Sequence, residues 1–247
     1  MADRSKIEWC DATFNPWIGC TKVSPGCDHC YAEAWDRRFA VSGHAMHWGA
    51  GKARRRTSES NWHQPLRWNA AHDAFFAAHG RRRRVFCASL ADVFDNEVPA
   101  QWRGALWNLV RETPSLVWLL LTKRIGNVIG MLPADWLDGW PNVWLGATVV
   151  NQAEADRDIQ KLLDTPAAVR FVSIEPMLGP VDLRMGGMSM PDYAPHRPQP
   201  RLNWVICGSE SGSHARRDPA MHEWVRSLRD QCVAAGVAFF WKQDAER

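Results

Sequence analysis

From about residue 80 onward, short apolar runs alternate with longer segments of helical spacing. The runs cover 85–89, 117–122, 143–149, 169–174, 204–207 and 237–241, and polar or turn residues close each one. The segments 100–111, 153–163 and 221–235 carry apolar positions at helical spacing. Near-continuous apolar strands separated by helices predict parallel β-strands joined by crossovers. A further strand is expected near 14–18. The expected fold is therefore α/β, a full or partial TIM-like (β/α) barrel with about six to seven parallel strands. An open doubly wound sheet accommodates the same pattern. No boundary interrupts the rhythm, so 1–247 reads as one domain. Irregular insertions are expected near 41–70, which is rich in Gly, His, Ser, Arg and Trp, and near 185–200, which is rich in Met and Pro.

In both architectures ligands bind at the carboxyl ends of the strands, so the residues closing each run are candidates for chemistry. They are Ser89 and Asp92; Thr122, Lys123 and Arg124; Thr148 and Asn151; Ser173 and Glu175; Ser209, Glu210 and Ser211; Lys242 and Gln243. One charged residue after a strand is usually a solvated loop residue or a helix cap. Six strands ending this way point collectively to a site. Glu175, held before Pro176, together with Glu210 and Lys242, are the expected catalytic residues.

Apolar residues make up 46% of the chain, enough for a substantial core. The formal net charge is only +3, so any attraction for nucleic acid must come from local clusters rather than a global field. Two clusters exist: Arg54, Arg55 and Arg56, and Arg81, Arg82, Arg83 and Arg84. A single basic run is ordinarily a solvated loop. Two of them, near Trp62, Trp68 and Trp102, suggest a phosphate-contacting face. With 15 Trp in the chain, core packing accounts for most and base stacking for a few. No apolar stretch reaches membrane-spanning length and no basic head precedes an apolar run at the N-terminus, so a cytoplasmic protein without a membrane partner is expected.

Of seven cysteines, three lie in Cys20-Thr-Lys-Val-Ser-Pro-Gly-Cys27-Asp-His-Cys30, a C-x6-C-x2-C spacing. Gly19, Pro25 and Gly26 make this segment a loop in which thiols can converge. Three thiolates can hold three irons of a cubane [4Fe-4S] cluster, or three of the four positions on tetrahedral zinc. Zinc lacks an obvious fourth ligand, since no second C-x2-C pair exists and His29 adjoins Cys30. Cys87 and Cys207 fall inside apolar strands, as buried structural thiols do.

The run from Trp17 to Glu33, together with Asp92-Val-Phe-Asp95, Leu121-Thr-Lys-Arg124, Ser173-Ile-Glu-Pro176, Gly208-Ser-Glu-Ser-Gly212 and Lys242-Gln243, resembles the radical S-adenosylmethionine (SAM) superfamily. More narrowly it is similar to the phage and mobile-element three-cysteine-motif family. The common superfamily loop is C-x3-C-x2-C, so this loop is longer by three residues. The resemblance implies that Cys20, Cys27 and Cys30 bind the cluster, that SAM chelates its open iron, and that reductive cleavage by an external electron donor starts radical chemistry. His29 takes a position usually aromatic and close to the adenine. Tyr31, Ser89, Asp92, Thr122, Lys123, Thr148 and Glu175 are the further expected cofactor contacts. The phage association implies a bacterial host cytoplasm and an isomerase, lyase or transferase acting on a nucleic-acid base, in DNA rather than RNA. Photoproduct-lyase-like repair is a second version, and a non-catalytic, metal-stabilised nucleic-acid-binding protein is the alternative class.

Overall fold

The computed structural model describes residues 5–184, 201–210 and 215–242. The expected insertion at 185–200, and Ser211 and Gln243 of the rim set, lie outside the described residues. In chain order the elements are β1 (Ala12–Thr13), β2 (Trp17–Ile18), α1 (Tyr31–Val41), β3 (Arg55–Arg56), α2 (Glu59–Trp62), α3 (Gln64–Ala70), α4 (His72–His79), β4 (Arg83–Cys87), α5 (Ala100–Glu112), β5 (Leu116–Thr122), α6 (Ile125–Val128), β6 (Val143–Thr148), α7 (Gln152–Asp164), β7 (Val169–Ile174), β8 (Trp204–Cys207), α8 (Met221–Ala234) and β9 (Ala238–Trp241). Among the described residues no helix is long and apolar enough to cross a membrane.

Seven parallel strands form one sheet in the order β1-β4-β5-β6-β7-β8-β9. The order follows the chain without the reversal that defines a doubly wound sheet. The strands curl with β1 and β9 as edges, giving a partial TIM-like barrel. The first strand departs from expectation. It lies at Ala12–Thr13, and Phe14 N–H still bonds Phe86 O at 3.0 Å. Pro16 has no N–H to continue the ladder, and Trp17–Ile18 instead pairs antiparallel with Arg55–Arg56. The 41–70 stretch is irregular only to about residue 54, after which β3, α2 and α3 follow.

Period-two alternation sorts the strand residues onto two faces. In β5, Leu116, Trp118 and Leu120 pack toward the helices, while Val117 and Leu119 point to the concave side. Val85 and Cys87 face the helices and Phe86 the concavity; Val205 and Cys207 face the helices and Ile206 the concavity. Burying each such large aliphatic side chain stabilises the fold by about 1.5–3 kcal/mol. The concave layer is aromatic, and Trp9 from the N-terminal segment plugs it, its ring 4.6 Å from Phe86. Gly146 on β6 pairs with Phe171 on β7, and a Cβ there would meet the Phe171 ring at 2.6 Å. Glycine is what lets the ring lie across the strand.

The crossover helices form for local reasons as well. Helix α7 starts at Asn151, whose Oδ1 accepts from Glu154 N–H at 3.0 Å, an N-cap worth about 1 kcal/mol. Its Ala155, Ile159, Leu162 and Leu163 make the buried stripe.

Candidate active site

At the carboxyl ends of the strands, above the Trp9 and Phe86 floor, lies a cavity of about 370 Å³. Cys20, Cys27 and Cys30 all line it, and none is in a disulfide. The strand ends contribute Ser89, Asp92, Thr122, Lys123, Thr148, Ser173, Glu175, Glu210 and Lys242 to its wall, with His29 and Tyr31 from the cysteine loop. Among the described strand-end candidates all but Asn151, which caps α7, thus meet in one place. Cys10 and Cys232 are buried away from the cavity, as are Cys87 and Cys207.

The cysteine loop leaves β2 through Gly19, whose φ of 111° belongs to glycine and whose missing Cβ makes room for His47. Ser24 Oγ accepts from Gly26 N–H at 3.1 Å and caps the tight turn at Pro25–Cys27. A Cβ on Gly26 would meet Val150 at 2.6 Å, so this glycine allows the loop to press onto the end of β6. Cys30 then stands at the N-cap of α1. Tyr31 Oη donates to Ser89 O at 2.7 Å and ties the helix start to the end of β4.

Burial pushes the Cys20 thiol up to about 12, with the Asp92 charge acting in the same direction and Arg124 opposing. Burial raises Cys30 too, against its neighbouring backbone amides and the Lys123 charge. Arg124 Nη1 donates to Cys20 Sγ at 3.2 Å and Nη2 donates to Thr21 O at 2.7 Å.

Two acidic candidates face different partners. Glu175, at the end of β7, pairs with Lys242 at the end of β9, joining the two strand ends across Gly208. Glu210 is bound by Arg216, which donates from Nη2 at 2.6 Å, Nε at 3.0 Å and its backbone N–H at 2.8 Å. Arg216 also reaches Asp28 and Pro25 O, and His29 Nδ1 lies 3.0 Å from Glu210. Burial works against ionisation of Glu210, yet the Arg216 hydrogen bonds outweigh it and hold the carboxyl down at about 2. Glu210 is therefore a permanent carboxylate that clasps the cysteine loop to the end of β8.

Asp92 is also internally committed. It accepts from Thr122 Oγ1 at 2.8 Å, Phe94 N–H at 2.9 Å and Lys123 N–H at 3.2 Å. Ser89 Oγ accepts from Asn15 Nδ2 at 3.0 Å. Both side chains line the cavity, but they hold the strand ends together. Lys123 differs, because no carboxylate pairs with it among the described residues.

The arginine runs do not form one face. Arg54 is buried, its Nε 2.8 Å from Asp95, and it donates to the carbonyls of His47, Gly49 and Lys52. Arg56 pairs with Glu59 and stacks on Trp62, which leaves Arg55 exposed. Arg81 to Arg84 lie at the start of β4, the end of the sheet opposite the cavity. There Arg81 forks onto Asp11 at 2.6 and 2.8 Å, Arg82 donates to Pro114 O and Pro141 O, Arg83 stacks on Phe75, and Arg84 stacks on Trp144. A run of like charges reads as a solvated patch; here internal acceptors and rings disperse it.

Trp48 and Arg216 are not among the residues the sequence singles out, and Arg124 is singled out only as a strand-end residue, with no role. Arg124 closes a strand-end run and was legible to that extent. Trp48 and Arg216 sit in loops without a local signal.

Among the described residues no three His, Cys, Asp or Glu side chains stand together as a ligand set for a single metal ion. The donor chemistry fits a cluster: three thiols from one loop line one cavity, and a cubane takes its three cysteines on three separate irons. A structural zinc would need a fourth ligand gathered at one centre.

Comparison with known families matches residues 4–246 to a family described as a protein of unknown function, DUF5131. No curated protein matches the chain. Two solved structures are similar in fold, a spore photoproduct lyase carrying a single cysteine-to-serine substitution and spore photoproduct lyase complexed with dinucleoside spore photoproduct. Each has a TM-score of 0.53 at 10% identity, covering 99% of this chain and 79% of the other.

Proposed function

The chain belongs to the DUF5131 family, and we propose that it is a radical SAM enzyme, of the phage and mobile-element three-cysteine-motif type, that starts radical chemistry on a nucleic-acid base in DNA. The observation that carries this reading is the placement of three free thiols of one loop on the wall of one cavity, at the carboxyl rim of a partial barrel. The fold similarity to a lyase, one of whose structures holds a dinucleoside photoproduct, supports the general class and the choice of a base as substrate.

Cys20, Cys27 and Cys30 would hold a [4Fe-4S] cluster, and the polar wall above them would take SAM. When bound and reduced by an external donor, these groups supply a radical that takes hydrogen from the substrate. The protein's own share is position and the exclusion of water. Phe86, Trp9 and Leu121 make a dry floor. The Glu175–Lys242 pair offers a carboxylate and an ammonium to ribose hydroxyls or substrate, and Lys123, without a carboxylate partner among the described residues, offers a cation to an anionic group. Tyr31 and His29 fix the approach of the loop. A cavity of this size is at the small end for one drug-sized ligand, so a base would enter by flipping out of the helix, at a few kcal/mol. Of the two arginine runs Arg55 then remains as an exposed phosphate contact, joined by the exposed Lys52.

Repair of a photoproduct is the second version, favoured by the solved fold neighbours. Anaerobic purification decides the class. About four irons and four sulfides per chain, with reductive cleavage of SAM, supports an enzyme; a colourless zinc protein that leaves SAM intact leaves the non-catalytic alternative standing. Ala substitution of Cys20, Cys27 or Cys30 is expected to abolish iron loading, whereas Cys232→Ser is expected to keep it. Thymine-dimer and modified-base oligonucleotides distinguish repair from modification.

A further inference from the structure

Arg124 follows Thr122 and Lys123 at the end of β5, and its side chain is 8% exposed. Its guanidinium lies among Asp92, Asp95, Cys20 and Thr21, and the distances decide which of these it serves. The contacts to carboxylates are long, 3.4 Å to Asp92 and 3.9 Å to Asp95. Those carboxylates are already satisfied, Asp92 by Thr122, Phe94 and Lys123, and Asp95 by Arg54 at 2.8 Å. The bonds to the cysteine loop are well formed, 3.2 Å to Cys20 Sγ, ordinary for sulfur, and 2.7 Å to Thr21 O. Arg54 holds the same loop residue from the other side, Nη2 donating to Thr21 Oγ1 at 2.6 Å. The thiol and the guanidinium are therefore fixed in register by two independent anchors.

We propose that Arg124 is a positioning residue that sets the reduction potential of the cluster bound through Cys20, raising it by a charged hydrogen bond to the ligating sulfur. This rests on the proposed cluster at Cys20, Cys27 and Cys30. Hydrogen bonds to the sulfurs, net charge and solvent exposure govern the potentials of iron-sulfur clusters, and partners of this kind tune a metal through its ligand. A reduced cluster carries one more negative charge than an oxidised one. A fixed positive charge, buried and weakly screened, therefore stabilises the reduced form more.

The experiment uses the anaerobically reconstituted full chain, in wild type, Arg124→Gln and Arg124→Lys, with folding checked by circular dichroism. Iron and sulfide are counted, and the fraction reduced is read by electron paramagnetic resonance at a series of applied potentials. Arg124→Gln is expected to show a reduced-to-oxidised ratio at least tenfold below wild type at equal potential, which is about 59 mV for one electron. Arg124→Lys, which keeps the charge, is expected to stay closer to wild type. Loss of iron in the Gln variant with an unshifted ratio in the loaded Lys variant counts against the proposal, because Arg124 then anchors the loop rather than setting the potential. A folded, loaded Gln variant with the wild-type ratio overturns it, as does an equal shift or an equal loss of iron in both variants. A wild-type chain that takes up no iron and sulfide overturns the cluster reading itself, and with it this inference.

Discussion

The Nε of Arg54 lies 2.8 Å from Asp95 Oδ2 with side-chain exposures of 0% and 3%, so one member of an apparent surface arginine run is in fact the centre of a buried ion pair. Glu97 adds a second carboxylate at 3.0 Å, and three loop carbonyls and Thr21 Oγ1 take the remaining donors. Removing one partner of a buried pair strands the other charge, which costs about 3–5 kcal/mol. Arg54→Ala is expected to lose that much in urea unfolding. Arg55→Ala, one position on and exposed, is expected to stay within about 0.5 kcal/mol of wild type.

Gly146 and Phe171 form a second coupled pair. A Cβ on Gly146 would press into the Phe171 ring, and Phe171 is fully buried, so its ring has little room to yield. Overpacking of this kind costs about 1–3 kcal/mol. Gly146→Ala is expected to lower stability by that amount. Combined with Phe171→Leu it is expected to lose less than the sum of the single changes, a coupling of about 0.5–3 kcal/mol. Additivity in the double variant would show that the contact is relieved elsewhere.

The strand pattern was legible because its period is local: every second residue of β5 turns to the same face, and the run itself carries that information. The rim was legible for the same reason, since Thr122 closes β5, Glu175 directly follows β7 and Asp92 lies in the loop after β4. The roles of the rim residues were not, because a partner's identity is a long-range fact. Arg124 and Cys20 are 104 positions apart, and Arg54 and Asp95 are 41 apart. Nothing near either arginine distinguishes a buried donor from a solvated charge. The first strand was misplaced by two residues because Trp17 and Ile18 have strand-like side chains, and only Pro16 marks where the parallel ladder stops.

Glu210 makes stability pH-dependent in a defined direction. Its folded-state pKa is depressed from 4.5 to about 2, so the folded state favours the carboxylate more than the unfolded chain does. That contribution is full above pH 4.5 and is lost as pH falls from 4.5 toward 2. Thermal unfolding followed between about pH 7 and about pH 2.5 is expected to show a steeper acid limb for wild type than for Glu210→Gln, which has no proton to take up. Parallel acid limbs would remove Glu210 as the clasp between the end of β8 and the cysteine loop.

Binding to DNA tests where phosphates lie. Lys52 is exposed on the loop whose Gly49 N–H bonds Cys20 O at 2.8 Å, and Arg55 is exposed on β3, paired with Ile18 just before the cysteine loop. Arg82 lies at the opposite end of the sheet and donates to Pro114 O and Pro141 O. Each lysine or arginine that neutralises a phosphate contributes about 0.9 to the slope of log affinity against log salt. Fluorescence anisotropy with a duplex oligonucleotide, from about 50 to about 200 mM salt, is expected to give a slope shallower by about 0.9 for each of Lys52→Gln and Arg55→Gln. Arg82→Gln is expected to leave the slope at its wild-type value. A slope that falls with Arg82→Gln and holds with the other two would move the DNA to the amino end of the sheet, away from the cysteines, and separate binding from the proposed chemistry.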